Sequence, residues 1–182
     1  MYPLARLRAV AALAVAALAL TGCASMQVSS YVERGVDLRQ YRTYAWGPAD
    51  TFSTGDPRLD DNPFFDGRVR AAVENHLAAR GFEKTAGGSP DLLVHYHASV
   101  AQQIHARDID RQYGYCDEGD CRPEVYDEGT LLIDLIDRRT STLVWRGWAE
   151  DSFDGVVENQ DWMEAEIDEA VARILETLPR GL

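Results

Sequence analysis

The chain has 182 residues and a formal net charge of −12, from 30 acidic and 18 basic residues. That length supports one domain with a single core, and four Trp and eight Tyr exclude a wholly disordered chain. The acidic balance excludes a broad nucleic-acid surface, which needs clustered cations, so no nucleic-acid partner is expected.

The first segment reads as an address. Residues 1–8 are basic through Arg6 and Arg8, and residues 9–20 form an unbroken apolar run. A spanning helix needs about 20 apolar residues, so this run is too short to cross a bilayer and instead matches the core of a secretory signal. Leu20-Thr21-Gly22-Cys23 then resembles the lipobox of bacterial lipoproteins. The resemblance implies cleavage before Cys23 and acylation of that residue, making residues 1–22 a signal peptide. The remaining 160 residues carry a net charge of −14. Ala24 and Ser25 follow Cys23, without the Asp that signals inner-membrane retention in enteric-type bacteria. The expected location is therefore the periplasmic side of the outer membrane, held by lipid.

Residues 23–29 read as a short tether, followed by one domain over 30–182. Two short strands are expected at 30–36 and 41–46, then a loop over 47–61 rich in Gly, Pro, Asp, Ser and Thr. Asn62-Pro63 has the N-cap and first-turn chemistry of a helix start. Phe65, Val69, Ala72, Val73 and Leu77 follow at helical spacing, and Gly81 suits the stop, so a helix is predicted over 63–80. A short strand is expected at 82–84.

The segment 91–101 alternates as a strand, with Leu92, Val94, Tyr96, Ala98 and Val100 on one face and Leu93, His95, His97 and Ser99 on the other. Residues 102–127 are polar and contain Cys116 and Cys121. In an oxidising periplasm these two are expected to form a disulfide around Gly119. A metal site is the alternative, but a matching second Cys or His pair is missing. The extended hairpin this segment suggests would have its tip at that pair. Strands at 128–137 and 142–151 follow, joined by a turn at 137–141, with Trp145 and Trp148 on opposite faces of the last one. The strand 128–137 reads as central and partly covered on both faces. Asn159 or Asp161 caps a final helix bearing Ile167, Ala170, Val171, Ile174, Leu175 and Leu178. The expected fold is α+β: a two-layer sandwich of a largely antiparallel sheet with two amphipathic helices on one face.

Several segments, taken in order, resemble the DUF4136 family of envelope lipoproteins. They are Tyr41-Arg-Thr-Tyr-Ala-Trp, Pro90-Asp-Leu-Leu-Val-His-Tyr-His, Gly129-Thr-Leu-Leu-Ile-Asp-Leu-Ile-Asp and Leu143-Val-Trp-Arg-Gly-Trp-Ala. The resemblance implies a fold and a compartment. It implies no chemistry, because that family has no determined function.

The residues themselves offer few candidates for chemistry. His95 and His97 project to one strand face and could share a metal ion, with Asp134 or His105 as a third ligand. The bland alternative is two imidazoles bonding to neighbours or water. Asp134, Asp137, Arg138, Arg139, Arg146 and Glu150 gather near the last hairpin, as a polar-ligand site or as cross-strand pairs. Asp117, Glu118 and Asp120 lack the spacing of a calcium loop. No nucleophile elbow or phosphate-cradling loop is present. The expected function is a non-catalytic binding or structural module for an envelope partner, with no cofactor. Its alternatives are a metal- or small-ligand-binding protein using His95 and His97, and a cell-wall hydrolase using unrecognised carboxylates.

Replacing Cys23 with Ser should abolish labelling by a clickable palmitate analogue and release the protein from the membrane fraction. Unchanged fractionation would sink the lipobox reading.

Overall fold

A computed structural model describes residues 26–48, 52–86, 88–104 and 125–179 of the chain. The signal segment, Cys23, His105, the acidic cluster Asp117, Glu118 and Asp120, and the Cys116 and Cys121 pair lie outside the described residues.

Among the described residues six strands form one sheet: β1 (Gln27–Val32), β2 (Thr43–Trp46), β3 (Glu83–Lys84), β4 (Leu92–Ile104), β5 (Val125–Asp137) and β6 (Thr142–Ser152), in the spatial order β1-β6-β5-β4-β2-β3. Helices α1 (Pro63–Ala79) and α2 (Gln160–Glu176) pack on one face, giving the expected α+β architecture. The β4–β5 hairpin is antiparallel from Leu92↔Asp137 to Ile104↔Val125, longer than the predicted strands. β5 is central, between β4 and β6.

The sheet is mixed rather than purely antiparallel. β2 runs parallel to both β3 and β4, because α1 lies between them and carries the chain back to the end from which β2 started. The first strand also differs from expectation. It begins at Gln27, inside the predicted tether, and ends at Val32, pairing with β6 from Gln27↔Glu150 to Val32↔Trp145. An edge strand has one ladder and mostly exposed side chains, so Gln27, Ser29 and Ser30 carry little apolar alternation to announce it.

Both helices start as their sequence predicts. Phe64 and Phe65 N–H groups donate to Asn62 Oδ1 at 3.0 and 3.3 Å, with Pro63 in the first turn. Asn159, not Asp161, caps α2, accepting from the N–H groups of Asp161 and Trp162. Gly81, at φ +84°, ends α1 in a left-handed turn that few other residues adopt cheaply. Phe65, Val69, Val73 and Leu77 of α1 and Ile167, Val171, Ile174 and Leu175 of α2 are buried against Val94, Ile133, Leu135 and Trp145 of the sheet. Burying each such side chain contributes about 1.5–3 kcal/mol.

The predicted hairpin charges do not converge on one site. Asp137 is a buried turn cap: its Oδ1 accepts from Arg139 N and Thr140 N at 2.7 and 3.0 Å, and its Oδ2 from the Tyr41 hydroxyl at 2.9 Å. Burial and that hydrogen bond push the Tyr41 hydroxyl up to about 12. Asp134 instead faces the side of the sheet opposite the helices, where it pairs with Arg146. Arg138 donates outward to Ser89 Oγ.

Asp91 ties β4 to β2. Its Oδ2 accepts from Arg42 N, Thr43 N and Thr43 Oγ1, each at 2.9 Å. These donors, led by the Arg42 and Thr43 N–H groups, hold its carboxyl below the ordinary range. Asp91→Ala should cost about 1–2 kcal/mol at neutral pH, read by urea unfolding. A carboxyl depressed in the folded state stabilises fully above its unfolded value of about 3.9 and loses that contribution as pH falls through the folded value. The gap between wild type and variant should therefore close in acid. A constant gap across that range would contradict the ionised-acceptor account.

Candidate functional site

A recess opens where β2 stops short of its neighbour. β2 pairs with β4 only over Leu92–Val94. The chain beyond it touches the same edge at two points: Gly47 N–H donates to Val94 O at 2.9 Å, and Val100 N–H donates to Thr54 O at 2.6 Å. Between these points lies a cleft of about 440 Å³, walled by the loop around 52–62, the first turns of α1 and the edge of β4. That volume falls in the usual range for small-ligand sites.

One wall is an aromatic cluster wired to charges. Trp46 and Phe65 each meet the Tyr96 ring edge-on, at centroid distances of 6.3 and 6.4 Å. The Arg70 guanidinium stands 4.5 Å from the Trp46 ring centroid, a cation–π contact. Asp66 accepts from Arg70 Nε at 2.8 Å and from the Tyr96 hydroxyl at 2.9 Å. Trp46 Nε1 donates to Glu74, which also pairs with Lys84. Burial pushes the Glu74 carboxyl up, but the bonds from Lys84 and Trp46 outweigh it and leave a net lowering. On the loop wall, Asp60 accepts from Thr54 N, Ser53 Oγ and Thr54 Oγ1 at 2.7–2.8 Å. The Thr54 N–H, and then the Ser53 hydroxyl, hold its carboxyl below the ordinary range.

His95 and His97 both line the cleft and share the sheet face away from the helices, as alternation predicts. They lean toward opposite neighbours. The His95 ring lies directly over Gly47, where a Cβ would stand 2.0 Å from Nε2. His97 Nε2 lies 3.8 Å from Asp134 Oδ2. Asp134, the candidate third ligand, is already gripped by Arg146 Nε and Nη2, both at 2.7 Å. Among the described residues no three His, Cys, Asp or Glu side chains gather to hold a metal ion. Beside these groups, Leu93, Leu132, Ile136, Leu143 and Trp148 lie half-buried on the face that neither helix covers.

Sequence reasoning missed Trp46, Asp60, Asp66, Arg70 and Tyr96 as site residues. A partial signal existed in the Asp66 and Arg70 pair, four apart on the polar side of a predicted helix. Nothing local indicated that Gly47 and Thr54 would bond to the edge of β4.

The profile of DUF4136, a domain of unknown function, matches residues 28–180. A crystallised DUF4136 family protein from Bacteroides thetaiotaomicron superposes with a TM-score of 0.52 at 10% identity, over 86% of this chain and 97% of that one. A PDZ domain protein from Parabacteroides distasonis gives a TM-score of 0.53 at 15% identity, over 85% of this chain and 36% of that one. The chain thus spans about a third of the latter's length. At these identities the likeness is one of fold. No curated protein matches the chain.

Gly47→Ala should displace the His95 ring and cost about 1–3 kcal/mol in unfolding free energy. The cost should shrink in a His95→Ala background, which empties the space. An equal cost in both backgrounds would remove the ring contact as its cause.

Proposed function

The chain belongs to the DUF4136 family, and we propose that it is a lipid-anchored, non-catalytic binding module on the periplasmic side of the outer membrane. Its cleft at the β4 edge takes a segment of an envelope partner. The observation that carries this reading is the cleft itself: a recess of about 440 Å³ with aromatic walls and oriented polar groups, open to one side of the domain. The lipobox at Cys23 supports the anchor, and β1 begins at Gln27, soon after it in the sequence.

Binding is favoured over hydrolysis by what the carboxylates already do. A general acid must hold a proton near neutral pH, whereas Asp60 is held ionised by three donors. Asp66 spends its lone pairs on Arg70 and Tyr96. The wall is therefore pre-organised for recognition, with Trp46 and Tyr96 supplying rigid contact area. Divergence of His95 and His97 likewise favours a recognition role for these imidazoles over a shared metal ion.

A photo-crosslinking residue in place of exposed Pro48, at the cleft, should capture a discrete envelope adduct in living cells. The same residue in place of exposed Ala165, on the far side of α2, should not. Equal capture at both positions, or none at Pro48, would overturn the assignment of the cleft.

A further inference from the structure

Two independent features meet at one end of the domain. The first is chain reach. Met26 is buried, 6% exposed, and lines a small apolar cavity with Phe65, Phe153, Val156 and Met163. Three peptide steps separate it from Cys23, and an extended chain spans at most about 3.6 Å per residue. Cys23 therefore lies within about 11 Å of Met26, whatever path the chain takes.

The second feature is where large apolar side chains are left in water. Among the described residues these are Tyr31, Phe52, Phe64, Val125 and Trp162. Phe64 and Trp162 stand in the first turns of α1 and α2. Arg68 joins them, its guanidinium 4.9 Å from the Phe64 ring centroid and paired with Glu164 at 2.5 Å. Phe52 precedes the Ser53-Thr54 pair, pinned to Val100, which lines the same small cavity as Met26. Val125 lies further along the same direction, past Thr130, which shares a sheet row with Glu150 and Gln27. Only Tyr31 sits away from this end.

We infer that this end seats on the bilayer, with Trp162, Phe64 and Phe52 in the boundary between headgroups and acyl chains. The inference rests on the lipid-anchor reading of Cys23. The acyl chains supply the binding, and the aromatic side chains set the orientation. Exposed Asp154, Glu158, Asp161 and Glu164 border the same end, so the surface it fits is zwitterionic phospholipid rather than anionic lipid.

The test uses the full lipidated protein in phosphatidylethanolamine–phosphatidylcholine vesicles containing brominated phosphatidylcholine. The Trp162 component is the fluorescence difference between wild type and Trp162→Phe. It should be quenched roughly twofold, as expected for an indole at interfacial depth. Quenching should fall in Phe64→Ser and as phosphatidylglycerol replaces the zwitterionic lipid. Membrane-bound protein with an unquenched Trp162 component overturns the orientation while leaving the anchor intact. Protein without acyl mass on Cys23 that stays off the vesicles overturns both.

Discussion

The register of β5 is the constraint on which the rest of the molecule depends. Its side chains alternate between two environments that cannot be exchanged. Leu131, Ile133 and Leu135 are buried beneath the helices, while Leu132, Asp134 and Ile136 face the other way. A slip of one residue would drive Asp134 into the apolar layer and turn Ile133 out. Two polar contacts make the correct alignment distinguishable from its neighbours: the Asp134–Arg146 fork across to β6 and the Asp137 cap at the turn. The bulge between Leu135 and Ile136 absorbs one extra β6 residue, so that Trp145 still reaches the core.

The site is a by-product of that sheet's geometry. β4 is longer than the strand available to cover its outer edge, so a loop must serve for the remainder. An edge of this kind invites unwanted pairing unless something stands over it. Gly47 and Thr54 do so, bonded to Val94 and Val100, and residues 52–62 wall the cleft left between those two contacts. The cleft is furnished by Trp46, Tyr96, Asp66 and Arg70, which bond one another and so hold a fixed shape. Recognition surfaces gain from this kind of rigidity because little ordering remains when a ligand arrives.

How much of this was legible in the sequence follows from the range of each interaction. Asn62-Pro63 and Asn159 announce helices because capping acts over three residues. The strands at 128–137 and 142–151 show themselves through alternation, and their pairing through the short turn between them. The start of β1 did not, since an exposed edge strand needs no apolar side chains. The parallel pairing of β2 was equally silent: it depends on the path of α1, not on the residues of β2 itself. The cleft was the least legible feature, because Thr54 meets Val100 through a main-chain bond that any residue could make. The histidines show the same limit. Alternation placed His95 and His97 on one face, but the neighbours toward which the rings lean, Gly47 for His95 and Asp134 for His97, are far apart in sequence.

The two helices both follow a strand that runs toward the Met26 end, and both start there. Arg68 meets Glu164 and His76 meets Asp168, so the helices advance side by side in the same direction. Their peptide dipoles consequently add instead of cancelling, with about half a positive charge at each N-terminus. Asp66 and Asp161 sit in those first turns, and Asp60, Asp61, Asp154 and Glu158 lie close by in sequence. Asp66 and Asp161 thus each have a partner in the backbone itself, and the field these two project outward is weaker than their bare charges would give.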